Sequence, residues 1–273
     1  MRAADGFLVV IGGALAVFVG VQVVKQRAID VARTPAITST APALKTEIPA
    51  SKPALVPAGA DVAPTLTEAM ETAPGPVRDL EAIRASIAST PGTYMPAMLV
   101  DLNGQLVRWP DRRATGLRIW VQALSSVHDW DLRYTQMARD AFADWGGGPD
   151  NGGVAVRLDF VLDSATSDIR IVWIDRFSPD MGRRVGSTQR ATDRYGWLHA
   201  AEIVVAIHDS TGRTIPPEAL AGIVRHEAGH ALGMGHSTDP GTIMYPVEMV
   251  GDIKPADRAT LRLLYQLPPG LAR

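Results

Sequence analysis

Three of the chain's six histidines fall within eleven positions, next to a carboxylate: His226, Glu227, His230 and His236. On a helix, His226 and His230 are four apart, so their imidazoles project from one face about one turn from each other and can reach one metal ion. Glu227 stands too close to the first histidine to make a good third ligand, but it is placed to hold a water on that metal. Gly233 lets the backbone leave the helix in a conformation that a Cβ would resist, and the turn returns His236 as a third nitrogen. Three protein ligands leave the fourth tetrahedral position to water, the arrangement of a catalytic zinc site rather than a structural one. A zinc ion so held lowers the pKa of its water from 15.7 to about 7. Glu227 is then the group that would take the proton as general base.

The full stretch His226-Glu227-Ala228-Gly229-His230-Ala231-Leu232-Gly233-Met234-Gly235-His236 matches H-E-x-x-H-x-x-G-x-x-H at every fixed position. It therefore resembles the zinc signature of the metzincin metallopeptidases. Thr242-Ile243-Met244-Tyr245-Pro246 resembles the Met-turn of that clan, and Ser237 together with Met-Tyr-Pro is most similar to its matrixin branch. The resemblance implies an α+β catalytic domain: a twisted mixed sheet of about five strands, a central active-site helix and a C-terminal helix. It also implies a zinc-dependent endopeptidase that hydrolyses internal bonds of extended polypeptides. One catalytic zinc would sit on His226, His230 and His236, with Glu227 activating its water and Met244 as an apolar floor that does not coordinate. Substrate would lie along an exposed edge strand, expected from chain order within Val185 to Arg190. The astacin branch uses a tyrosine two residues after the methionine; Tyr245 is adjacent to Met244 and is assigned to packing. A different class of function stays open, a membrane-anchored binding or scaffold protein on the same fold with little turnover. An intact Glu227 and three intact ligands argue against it.

Many matrixins carry a second, structural zinc on three histidines and an aspartate ahead of the active-site helix. Here only His199, His208 and Asp175 or Asp180 are available, an incomplete set, so no structural zinc is expected. His128 has no partner pattern and is read as a surface residue. Calcium is not expected either, because Asp150-Asn151-Gly152 has the composition of a turn.

The rest of the chain must position these groups. Hydrophobic residues make up 46% and charged residues 21%, enough for a sizeable core. A net charge of −2 offers no basic excess for nucleic acid. With no cysteine, the chain has no disulfide framework, no thiolate ligand and no thiol to block the metal. Phe7 to Val24 is apolar apart from glycines and Gln22, just long enough to cross a bilayer as a helix. Residues 1–30 are therefore expected to be an uncleaved signal anchor holding the catalytic domain outside the cytoplasm, with membrane contact through this segment. A cleaved signal with secretion is the alternative, and a buried core helix a third. The balance of Lys25, Arg27 and Arg33 against Arg2 opposes that orientation, although long domains translocate regardless. Residues 31–76 hold eight of the 20 prolines and no aromatic residue, so they read as an extended linker.

Residues 77–105 are expected to hold a short amphipathic helix on Leu80, Ile83 and Ile87, then the start of a hairpin. That hairpin would run from Met98 to Trp109 and turn at Asn103-Gly104. The domain itself is placed at 106–268, with 269–273 as a tail. All six tryptophans lie between 109 and 197, which marks the packed region without any motif. Strands are expected at Leu117–Ala123, Val154–Leu162, Ile169–Ile174 and, most apolar and hence central, Ala201–Ile207. An edge strand or loop is expected over Arg183–Arg194. Helices are expected at Asp131–Trp145, with Leu132, Met137, Ala138, Ala141 and Phe142 inward, and at Lys254–Tyr265. The metal-site helix should open at Pro216-Pro217-Glu218, with Thr214 as its N-cap.

Overall fold

The structure, a computed structural model, describes residues 76–146, 156–247 and 251–272. The apolar run at 7–24, the linker up to 75 and the Asp150-Asn151-Gly152 turn lie outside the described residues. Among the described residues no helix is long and apolar enough to cross a membrane.

A mixed sheet of five strands forms the centre, in the order β3-β2-β4-β6-β5. Its strands are β2 (Arg112–Val121), β3 (Val156–Val161), β4 (Ile169–Ile174), β5 (Gly186–Thr192) and β6 (Leu198–Ala206). β2, β3, β4 and β6 run parallel where they pair, and β5 is antiparallel to β6 at the end of the sheet. Alternation decides which face is buried. Leu117 and Ile119 of β2, Ile169 and Ile171 of β4 and Ile203 and Val205 of β6 are all fully buried. The register aligns them in rows, Ile119 beside Ile169 and Ile171 beside Ile203. Each such isoleucine contributes about 1.5–3 kcal/mol from burial. The alternate positions face the other way and are less buried, and there Arg170 and Glu202 pair at 3.8 Å.

Two helices precede the sheet, α1 (Leu80–Ser89) and α2 (Met95–Asp101). Between β2 and β3 comes α3 (Arg133–Gly146); after β6 come α4 (Pro217–Ala231) and α5 (Pro255–Gln266). α3 packs on α4 and on β2 and β3, while α4 packs on β5 and β6. Two further strands, β1 (Gln105–Leu106) and β7 (Gly270–Leu271), pair antiparallel and join the two ends of the domain.

Several expectations need correction. The hairpin at 98–109 does not form. Met98 to Asp101 belong to α2, where Pro96 occupies the first helical turn and Met95 and Met98, three apart, are fully buried. A proline at that position is pre-set for a helix start, a signal that outweighs the strand-like Met98-Leu99-Val100. Asn103-Gly104 is a turn, with φ of 53° and 79°, but it ends α2 and leads into β1. Thr214 does not cap α4. Pro216 stands at the cap without a side-chain hydrogen bond, and the Thr214 hydroxyl donates to Asp129 Oδ2 at 2.6 Å. Leu132 is 65% exposed because it lies ahead of α3, whose buried stripe is Tyr134, Ala138, Ala141, Phe142 and Trp145. On α1, Ile83 is buried and Ile87 packs on the core, whereas Leu80 is exposed.

Candidate active site

α4 begins with Pro217 and is held along its length by hydrogen bonds to its carbonyls. Trp145 Nε1 donates to Arg225 O at 2.7 Å, and Trp109 Nε1 donates to Ala231 O at 2.8 Å. Just past the helix end, Tyr265 OH donates to Leu232 O at 2.9 Å. These donors come from α3, from the segment between β1 and β2 and from α5, so the helix carrying His226, Glu227 and His230 cannot slide or roll without breaking buried bonds.

Gly233 then takes φ +105° and turns the chain out of the helix. A Cβ there would run into the Val107 carbonyl oxygen, so glycine is required both for the angle and for the close approach. The turn brings His236 back: its ring centroid lies 5.6 Å from that of His226 and 4.7 Å from that of His230.

The protonation of all three imidazoles follows from their partners. His226 Nδ1 lies 2.7 Å from Ile243 O, His230 Nδ1 lies 2.9 Å from Met234 O, and His236 Nδ1 lies 3.1 Å from Asp101 Oδ1. Carbonyl and carboxylate oxygens only accept, so each Nδ1 carries a proton, and in a neutral ring that leaves the lone pair on Nε2. His226 Nε2 and His230 Nε2 are 3.1 Å apart. Two lone pairs at that distance repel unless they share a cation. One ligand atom from each of the three histidines lies within 4.8 Å of the others, a set that could hold a metal ion. Burial lowers the pKa of His226 and of His230, and for His230 the other two rings add to the effect. Neutral imidazoles at His226 and His230 fit a borderline-soft dication such as zinc, and His236 can supply the third ring nitrogen.

Glu227 is buried, and Thr188 Oγ1 on β5 donates to its Oε2 at 2.6 Å. Burial raises its pKa to about 7, against the opposing effects of Thr188, Arg184 and Arg190. β5 comes this close because residue 186 is glycine: a Cβ there would stand 2.5 Å from Glu227 Oε1. Arg190, two residues past Thr188 and on the same strand face, sends Nη1 to His230 O at 3.3 Å and Met234 O at 3.2 Å. Its charge thus lies on the carbonyls at the C-terminal end of α4, where the helix dipole favours a cation.

Met244 is fully buried beneath the helix, with its sulfur against Gly229, and Tyr245 is half-buried beside it. Ser237 N donates to Met244 O at 2.8 Å, which ties the turn to the residue after the last histidine. The other histidines do not join this site. His199 pairs with Asp193 at 3.2 Å. His208 lies between Asp129 and Asp175, at 3.2 Å and 2.7 Å, and His128, although exposed, pairs with Asp129 at 3.0 Å. His199 and His208 are therefore not drawn together, and His128 has a partner that the sequence pattern did not show. Thr188, Arg190 and Asp101 were also missed. Alternation along β5 places residues 186, 188 and 190 on one face and is the only signal that could have found the first two.

The sequence profile of the family described as matrixin matches residues 131–266. Residues 131–266 thus belong to a matrixin-like domain. The chain is similar over 137 residues, at 28% identity, to the metalloendoproteinase 1-MMP of Arabidopsis thaliana, covering 45% of its own length and 35% of the relative. Shorter stretches resemble interstitial collagenase of Aquarana catesbeiana, 50% identical over 32 residues, and human matrilysin, 63% over 27. These cover 12% and 10% of this chain and 8% and 10% of those proteins. The chain thus spans about a third or less of the length of each relative. The matrixin match begins after β2, although β2 lies inside the sheet between β3 and β4. The folded domain is therefore longer than the matched segment.

Proposed function

We propose that this protein is a zinc-dependent endopeptidase that hydrolyses internal bonds of extended polypeptides. The observation that carries the proposal is the convergence of one ring nitrogen from each of three histidines, each with its Nδ1 held by an acceptor, beside a buried carboxylate on the same helix as two of them. Zinc held there would supply a water with a pKa near 7 and polarise the scissile carbonyl.

The chain's own groups do the rest. Glu227 takes the proton of the attacking water on a carboxylate oxygen and passes it to the departing amine nitrogen. The Thr188 hydroxyl holds Oε2 in place during both transfers, so the base does not have to be oriented anew at each turnover. β5 ends the sheet, and its outer edge offers backbone donors and acceptors to an extended substrate. Because Thr188 belongs to that strand, the groups that would align the substrate and the group that holds the base share one rigid element. Met244 closes the site from below without coordinating, and the apolar run at 7–24 would hold the domain at the outer side of a membrane.

Glu227→Ala in the full chain tests this. The variant is expected to keep zinc and to lose chelator-sensitive cleavage of an unfolded protein substrate. Unchanged cleavage by that variant would refute the mechanism. Absence of cleavage by the unaltered, zinc-loaded chain across unfolded substrates would favour the binding-scaffold alternative.

A further inference from the structure

Two of the three imidazoles are oriented by carbonyls from within residues 131–266, namely Ile243 and Met234. The third is oriented by a residue well outside it. Asp101, the last residue of α2, accepts the backbone N–H of His236 on Oδ2 at 2.9 Å and its ring Nδ1–H on Oδ1 at 3.1 Å. One carboxylate thus grips both the main chain and the ring of the same residue, 135 positions away. His236 has most need of such a grip. It stands beyond the helix end, on the turn after Gly233, with a third of its side chain exposed. No helical ladder fixes its backbone. A carboxylate is also a stronger acceptor than a carbonyl, and a histidine that donates to one is a more basic ligand.

The grip is rigid because α2 is anchored in the core. Met95 and Met98 are fully buried, Tyr94 N donates to Thr260 Oγ1 at 3.0 Å, and Tyr94 OH donates to Asp257 Oδ1 at 2.8 Å. The other oxygen of Asp257 accepts the N–H of Ile243, whose own carbonyl orients His226. α2 and the residue that precedes it, Tyr94, are therefore tied to the histidine set at two places.

We infer that Asp101 is a positioning residue for His236, and that the smallest metal-competent unit of this chain includes α2 rather than starting at residue 131. The inference rests on the reading of His236 as a zinc ligand.

The test uses the full chain with Asp101→Asn, Asp101→Ala and Asp101→Glu, and with Val100→Ala as a control on the same helix at a position 72% exposed. Zinc affinity is measured by competition with a chelator, the ligand field by the visible spectrum of the cobalt(II) form, and folding by the melting temperature of the metal-free protein. Asp101→Asn and Asp101→Ala are expected to weaken zinc about 10–100-fold and to alter the cobalt bands. Asp101→Asn should leave metal-free melting close to that of the unaltered chain, Asp101→Glu should recover part of the affinity, and Val100→Ala should match the unaltered chain throughout. Unaltered affinity and cobalt spectrum in Asp101→Asn would overturn the inference while leaving the zinc site intact. Zinc binding undiminished by His236→Ala would instead overturn the reading of the site itself, and the role of Asp101 with it.

Discussion

Gly229 sits between the two helical histidines, and replacing it with alanine probes how the buried methionine supports them. A Cβ built at Gly229 would lie 2.8 Å from Trp145 Cζ2, 3.2 Å from Met244 Cε and closer still to Met244 Sδ. Trp145 cannot retreat, since its Nε1 is committed to Arg225 O and the side chain is buried. Met244, unbranched and flexible, must move instead. Overpacking of this kind costs about 1–3 kcal/mol. In a domain of this size that corresponds to a fall in melting temperature of roughly 2–12 °C. Moving Met244 also disturbs Ile243, whose carbonyl orients His226, so zinc affinity should fall by about one order of magnitude. Differential scanning calorimetry of the metal-free chain and chelator competition read the two effects separately. Met244→Ala alone leaves a cavity and costs about 2–5 kcal/mol. The double variant should be less destabilised than the sum of the singles, because the added methyl occupies part of the vacated space. A Gly229→Ala protein with unaltered melting and zinc affinity, or strict additivity with Met244→Ala, would refute the packing argument.

Thr188→Val keeps the shape of the side chain but removes the donor to Glu227 Oε2. A hydrogen bond to a charged group is worth about 1.5–3 kcal/mol, so kcat/KM should fall about 10–150-fold with zinc content unchanged; an unaffected rate would show that the hydroxyl does not orient the base. Asp168 governs part of the acid stability. Burial raises its pKa, but Arg118, through its backbone N–H and its guanidinium, and Arg112 more than offset this, so the net value is lowered. A lowered folded-state pKa stabilises the protein above the unfolded value of about 3.9, and that stability is lost as pH falls through the lower folded-state value. Asp168→Asn should therefore flatten the pH dependence of stability below about pH 4, followed by denaturant unfolding at a series of pH values; an unchanged slope would contradict the assignment.

Short-range regularity explains which parts were legible in sequence. Ile169 to Ile174 is a β-rich run, only Arg170 being polar, and forms β4 over that range. The eleven-residue histidine stretch points to a candidate site because helical spacing and a glycine turn are local properties. The α2 segment is ambiguous in sequence because Met98-Leu99-Val100 is apolar in either structure; Pro96 at the helix start and the joint burial of Met95 and Met98 decide for the helix. Thr214 looked like a cap but serves Asp129, far away in the chain. Asp101 leaves no local trace, since it acts on a segment 135 positions away, and Arg190 leaves only the alternation of β5, which does not say what it reaches. Long-range pairing of a carboxylate with a ligand, or of a cation with helix carbonyls, is a property of the folded arrangement.

The central claim is that three imidazoles of this chain hold one zinc ion and leave a position for water. X-ray absorption at the zinc edge, on the full-length protein with its metal content measured, tests it most directly. The account predicts one zinc per chain, three imidazole nitrogens at about 2.0–2.1 Å, one further light atom and no sulfur neighbour. A sulfur shell would make Met244 a ligand, and fewer than three imidazoles, or no stoichiometric zinc, would contradict the assignment of His226, His230 and His236.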